Sequence, residues 1–239
     1  MRMYVNGCSF TYGYELDNPK LHCWPTLLAN KLGAELVNDA VSGGTNQRTL
    51  YHTIKNLNGF DLYVIAWTTN TRFTFYKSDN NFEINFNPLL INHLYQNDSF
   101  YADWGKTLYA VWYNELYAFK QWLQQIIQLQ SLFKQHNKKY LMVNTSSNNL
   151  DKWSTNQSQF IESTKHLINF DSMDDSQIFD EYQEIQYYLG LIDTTQFYRW
   201  NEFSIMDLTK DFEIGVGGHI LEAGHQHVAD LIYKHICSK

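Results

Sequence analysis

Apolar positions fall into short unbroken runs separated by longer stretches of helical periodicity. The runs "MRMYVN" (1–6), "AELVN" (34–38), "DLYVIAW" (61–67) and "KKYLMVN" (138–144) predict β-strands. Runs of this kind suit a parallel sheet covered on both faces. Between them, 24–33 predicts a helix with Pro25 near its start and Gly33 at its end, and 46–57 predicts another with Asn46 as cap. A long amphipathic helix is predicted over 107–136, where Leu108, Val111, Trp112, Leu116, Phe119, Leu123, Ile126, Ile127 and Phe133 share one stripe. The last helix, 222–236, turns Val228, Ala229, Leu231, Ile232 and Ile236 inward. Short helices are expected near 158–168 and 176–189, within a polar, aromatic region that begins at 145. Residues 71–106, rich in Asn and aromatics, interrupt the alternation and read as an insertion or long loop. Strands alternating with helices imply right-handed crossovers and a three-layer α/β/α sandwich with a mostly parallel sheet. With no repeat or linker, 1–239 reads as a single domain.

Composition narrows the function. The net charge is −7 and no dense Lys/Arg patch appears, which argues against nucleic-acid binding. The chain's three cysteines, Cys8, Cys23 and Cys237, form neither a disulfide framework nor a zinc pattern. His225 and His227 stand two apart on a helix and cannot share a face, so no metal is expected. No apolar run approaches the roughly 20 residues of a membrane span, and the first strand leaves no room for a signal peptide. The expectation is a soluble, cytoplasmic protein without membrane contact, its oligomeric state open. The 16% aromatic share serves either a bulky core or a stacking surface for sugars or bases.

The chemistry concentrates at strand ends. "YVNGCSFTYGYEL" (4–16) ends the first strand in Gly7 and puts Ser9 directly after it. In a doubly wound sheet, ligands sit beyond the carboxyl ends of the strands. A serine there can attack a carbonyl, or simply cap a helix. Cys8 points away from Ser9 and reads as a buried filler; Glu15 and Asp17 read as solvated. His219, in a glycine-rich loop before the last helix, could act as base. Gly43 and Gly44 after the second strand, and Asn70 after the third, could hold an oxyanion. Arg72 could bind a substrate carboxylate or phosphate, or form a structural salt bridge.

This constellation resembles the SGNH (GDSL-type) hydrolases, in the subgroup with a Gly-Cys-Ser-Phe nucleophile block. The blocks are "NGCSFTYG", "NDAVSGGTN", and "GGH" followed by "EAGHQHVA". The resemblance implies a flavodoxin-like fold with Ser9 as nucleophile, Gly43 as oxyanion glycine and His219 as base, and it implies no cofactor. The family's Gly-x-Asn-Asp block is replaced by Trp67-Thr68-Thr69-Asn70, leaving Thr69 or Asn70 as the side-chain donor, with Asn70 the better one chemically. The family's aspartate, three residues before the histidine, is Val216 here. A backbone carbonyl could orient His219, Asp211 or Glu213 could reach it, or the site could be impaired. The implied activity is that of a serine esterase removing small ester groups, such as O-acetyl, from a glycan. Its rivals are an O-acyltransferase to a carbohydrate acceptor and a non-catalytic glycan-binding module.

Overall fold

The computed structural model describes residues 1–77, 82–86, 99–148, 150–153, 155–164 and 174–239. Its strands are β1 (Arg2–Asn6), β2 (Glu35–Asn38), β3 (Leu62–Trp67), β4 (Phe73–Lys77), β5 (Phe82–Phe86) and β6 (Lys139–Asn144). The principal helices are α1 (Trp24–Leu32), α2 (Asn46–Lys55), α3 (Glu115–Gln135), α4 (Asp175–Leu191) and α5 (Glu222–Cys237). β1, β2, β3 and β6 form a parallel sheet in the order β2-β1-β3-β6. Outside β6, a single parallel bridge joins Met142 to Phe197.

Side-chain alternation along the strands builds two cores. Tyr4, Tyr63, Ile65 and Trp67 face Phe119, Trp122, Leu123, Ile126 and Phe133 of α3. Met3, Val5, Val64, Ala66, Leu141 and Val143 face Trp24 and Leu28 of α1 and Val228, Ala229 and Ile232 of α5. The sheet is therefore covered on both sides, and every residue of β3 is buried, as its continuous apolar run requires. The result is the expected three-layer α/β/α sandwich. With the order β2-β1-β3, the chain reverses its winding direction beside β1, the place where such sheets take ligands.

Three helical details depart from the periodic pattern. The stripe over 107–136 is not one helix. Leu108–Trp112 is π-helical, Tyr113 is extended, and α3 starts anew after Asn114, whose side chain accepts the Tyr117 N–H at 2.8 Å. Val111 and Trp112, expected in the core, are 68% and 76% exposed because the break turns them outward. Thr45, rather than Asn46, caps α2 by accepting the Arg48 N–H at 3.1 Å. In the 71–106 segment, β4 and β5 form an antiparallel hairpin and Ser99–Thr107 is helical. Phe75, Phe86 and Trp104 pack together there, while 78–81 and 87–98 lie outside the described residues. The short helices of the later region are Gln157–Thr164 and α4; the expected extension over 165–168 also lies outside them. Among the described residues no helix is long and apolar enough to cross a membrane.

Candidate active site

The turn that carries Ser9 is built from buried groups. Asn6, fully buried at the end of β1, accepts the Gly7 N–H on its Oδ1 at 2.8 Å. Its Nδ2 donates to the Tyr4 hydroxyl at 3.0 Å, which donates in turn to Asp39 at 2.7 Å. Gly7 is obligatory, since a Cβ there would lie 2.5 Å from Thr11 Oγ1 and 2.9 Å from Ala66 Cβ. After it the chain turns into a short helix, Ser9–Tyr12, ended by left-handed Gly13. Ser9 stands at the first position of that helix and is 4% exposed.

Ser9 Oγ lies 2.8 Å from His219 Nε2. The imidazole is held between the rings of Phe10 and Tyr14, at centroid distances of 4.9 and 5.1 Å. Its Nδ1 lies 3.1 Å from Oε2 of Glu15. The same carboxylate accepts two backbone amides of the histidine loop, Gly217 N–H at 2.6 Å and His219 N–H at 3.0 Å. Glu15 is thus not solvated, as its position in the sequence suggests, but docked into a loop some 200 residues away. The Gly217 N–H, followed by the His219 contacts, holds its carboxyl below the usual glutamate range.

The glycines of "IGVGGH" follow from this carboxylate. A Cβ on Gly215 would come within 2.7 Å of it, and one on Gly217 within 3.0 Å. Gly218 takes a left-handed φ of 82° to close the turn in which Gly215 N–H donates to the His219 carbonyl at 2.7 Å. Glu15 itself has a φ of 72°, a conformation costing a non-glycine residue roughly 1–2 kcal/mol. The carboxylate on Nδ1 therefore belongs to Glu15 and not to Asp211 or Glu213, both of which are exposed. Val216, in the family's aspartate position, points fully into solvent.

The loops after β2 and β3 are fastened to the same edge. Asp39 and Arg48, at the two ends of the Gly43–Gly44 loop, form an ion pair at 3.3 Å that is largely buried. Within the loop, Val41 N–H donates to the Gly7 carbonyl at 3.4 Å, and a Cβ on Gly44 would meet that carbonyl at 2.7 Å. Gly43 is buried with a φ of 72° and open space where a side chain would be. Asn46 grips the end of β3, bonding both the N–H and the carbonyl of Thr68 at 2.8 and 2.9 Å. Arg72 donates Nη1 to the Gly44 carbonyl at 3.2 Å, so it braces the glycine loop.

Of the two donor candidates on β3's loop, the Thr69 hydroxyl is engaged locally with Thr71 Oγ1 at 3.0 Å. Asn70 is held through its backbone N–H by Asn148 at 3.1 Å, and its Nδ2 has no partner among the described residues. The two histidines of the last helix that follow His219 are held in the protein's packing. His225 is fully buried and accepts the Trp24 N–H at 3.2 Å, and burial pushes its pKa down to about 4. His227 packs on Phe212. Cys8 is buried, 4.0 Å from the Thr145 hydroxyl. Among the described residues no group of three His, Cys, Asp or Glu side chains could hold a metal ion.

A family model described as a family of unknown function, DUF6071, matches residues 13–164. The chain belongs to this family. The match takes in Glu15, Gly43 and Asn70 but stops short of Ser9 on one side and His219 on the other. No curated protein matches the DUF6071 chain. Solved structures do. TesA aligns over 99% of this chain and 98% of its own, at 12% identity and a TM-score of 0.51. The psychrotrophic esterase EstA from Pseudoalteromonas sp., inhibited by monoethylphosphonate, aligns over 99% and 97% at 12% identity and 0.50. A carbohydrate esterase family 2 enzyme with a carbohydrate-binding domain, from Corynascus thermopiles (Myceliophthora fergusii), aligns at 15% identity and 0.48. The DUF6071 chain is covered over 99% there but spans only 65% of that protein's length. At such identities the likeness is one of fold, and the fold is that of the SGNH hydrolases.

Proposed function

We propose that the protein is a serine esterase working through an acyl-enzyme on Ser9. The observation that carries this reading is the unbroken chain Ser9 Oγ–His219 Nε2, His219 Nδ1–Glu15 Oε2, at 2.8 and 3.1 Å. His219 Nε2 takes the Ser9 proton as Oγ bonds to the ester carbonyl carbon, whose π electrons move onto oxygen. The resulting oxyanion is met by the Ser9 and Gly43 N–H groups and by Asn70 Nδ2. Collapse breaks the carbon–alkoxide bond, and the imidazolium returns its proton to the leaving alcohol. Water, deprotonated by His219, then releases the acid and restores Ser9. Glu15 holds the imidazole in the tautomer with hydrogen on Nδ1 and stabilises the imidazolium that forms.

The non-catalytic reading drew on the missing aspartate beside the histidine, and a carboxylate delivered from the nucleophile segment removes that ground. The EstA likeness is consistent with ester chemistry, and we take the substrate to be a small ester, such as an O-acetyl group on a sugar. The reading is tested by intact mass after treatment with a fluorophosphonate. One adduct is expected on wild type, absent in Ser9→Ala and formed much more slowly in His219→Ala. Folded wild type that gains no adduct would refute it.

A further inference from the structure

A cavity of about 320 Å3 opens beyond the carboxyl end of β6, with Asn144, Trp200, Glu202, Phe203, Asp207 and Lys210 in its lining. That volume lies at the lower end of small-ligand sites and far above the room one water needs. The cavity shares its scaffold with Ser9. Ile205, between the lining segments, packs in one core cluster with Cys8, Phe10 and Ile220, the neighbours of Ser9 and His219. Met206 N–H donates to the Thr145 carbonyl at 3.1 Å, and Thr145 touches Cys8. Neighbouring strands stand about 5 Å apart, so β6, two places from β1 in the sheet, ends about 10 Å from it. That is the scale of one to two sugar rings.

The lining selects a chemistry. Trp200 is immobilised, stacked on Trp122 at 5.7 Å and 14° and set edgewise to Phe197 at 4.4 Å. A ring held in this way offers apolar surface at little entropic cost. Phe203 is 44% exposed, with the Arg199 guanidinium 5.2 Å from its ring centre. The lining's charged groups are Glu202 and Asp207 against Lys210, and Arg199, outside the lining, lies 3.9 Å from Glu202. Asp207 already accepts the Ser204 N–H and hydroxyl at 2.8 and 2.6 Å. Asn144, only 3% exposed, donates Nδ2 to the Trp200 carbonyl at 3.2 Å, while its Oδ1 has no partner among the described residues. Apolar rings beside the uncharged hydrogen-bonding side chains of Ser147, Asn201 and Ser204, with no excess of positive charge to draw an anion, together describe a site for a neutral ring bearing hydroxyl groups.

We propose that this cavity is a subsite for a neutral sugar ring, holding one residue of the carbohydrate whose ester lies at Ser9. The proposal rests on the esterase reading for that placement, but the binding itself does not need turnover. The test uses Ser9→Ala protein, observed by saturation-transfer NMR and titration with xylotriose, cellotriose and triacetylchitotriose, and with hexanoate as an apolar anionic probe. At least one trisaccharide is expected to bind, about tenfold more weakly when Phe203→Ala is added and the fold is intact by circular dichroism. Lys210→Met is expected to leave that affinity within about twofold. If no trisaccharide binds, or if binding ignores Phe203, the subsite is refuted. If hexanoate binds and Phe203→Ala abolishes it, the cavity belongs to an acyl chain and the proposal falls. The fluorophosphonate result stands apart: an adduct without sugar binding refutes the subsite alone, and sugar binding without an adduct refutes the esterase reading alone.

Discussion

The two halves of the candidate site are held in different ways. The nucleophile turn is anchored from below by buried groups: Asn6, Tyr4, Asp39 and Arg48 tie the end of β1 to the glycine loop after β2. The histidine loop has little beneath it. Ile214, Val216, Gly217 and Gly218 are exposed, and two backbone amides and the imidazole of the loop converge on one carboxylate. Ser9's turn is thus held by several shared contacts, whereas the His219 loop converges on Glu15 alone among the described residues' carboxylates. On the esterase reading, the difference teaches that placing Ser9 and activating it are separate structural tasks.

The comparison is tested most severely by Glu15→Gln. The amide can neither stabilise the imidazolium nor enforce the tautomer, and kcat is expected to fall about 10³- to 10⁴-fold with KM little changed. Glu15→Asp, which keeps the charge but shortens the reach, should recover part of that loss. A merely structural role would instead show as a lowered Tm with kcat preserved in the folded fraction. On the nucleophile side the effects should be smaller. Asn70→Ala is expected to lower kcat about 10²-fold by removing one oxyanion donor, and Thr69→Val less than about threefold. The reverse ranking would assign the donor to Thr69.

The smallest effect concerns pH. The Glu15 carboxyl is held below its ordinary value of 4.5, so its contribution to stability is complete above that value and is lost as the pH falls through the folded-state pKa. Tm measured from pH 7 to pH 3 should therefore drop more steeply below about 4.5 in wild type than in Glu15→Gln. Parallel curves would show that the carboxylate does not fasten the loop.

What could be read from the sequence was whatever a local pattern encodes. The strand runs, the glycine turn before Ser9 and the glycine-rich approach to His219 are short-range signals, and they located the sheet and both ends of the serine–histidine pair. Glu15 escaped because the partner that explains it lies 204 residues away, and no spacing rule connects the two. Its trace was present on the other side, in Gly215 and Gly217, where a side chain would collide with the carboxylate. The split of the 107–136 stripe escaped for a related reason. Helical periodicity continues across Asn114, but a side chain that caps a helix ends one as well, and Val111 and Trp112 were assigned to a core they do not enter. Between Thr69 and Asn70 no local pattern distinguishes a donor, and the engagement of the Thr69 hydroxyl with Thr71 is a contact that spacing does not encode.

The pairing of Glu15 with His219 also sets the order in which the site can come into being. Ser9 and Glu15 leave the ribosome some two hundred residues before His219. Until His219 follows, the nascent chain carries Ser9 without the imidazole it bonds. Under the proposed esterase reading, reactivity arises when the stretch before α5 folds back and closes on Glu15, so a chain that stops short of that stretch has a serine that stays silent.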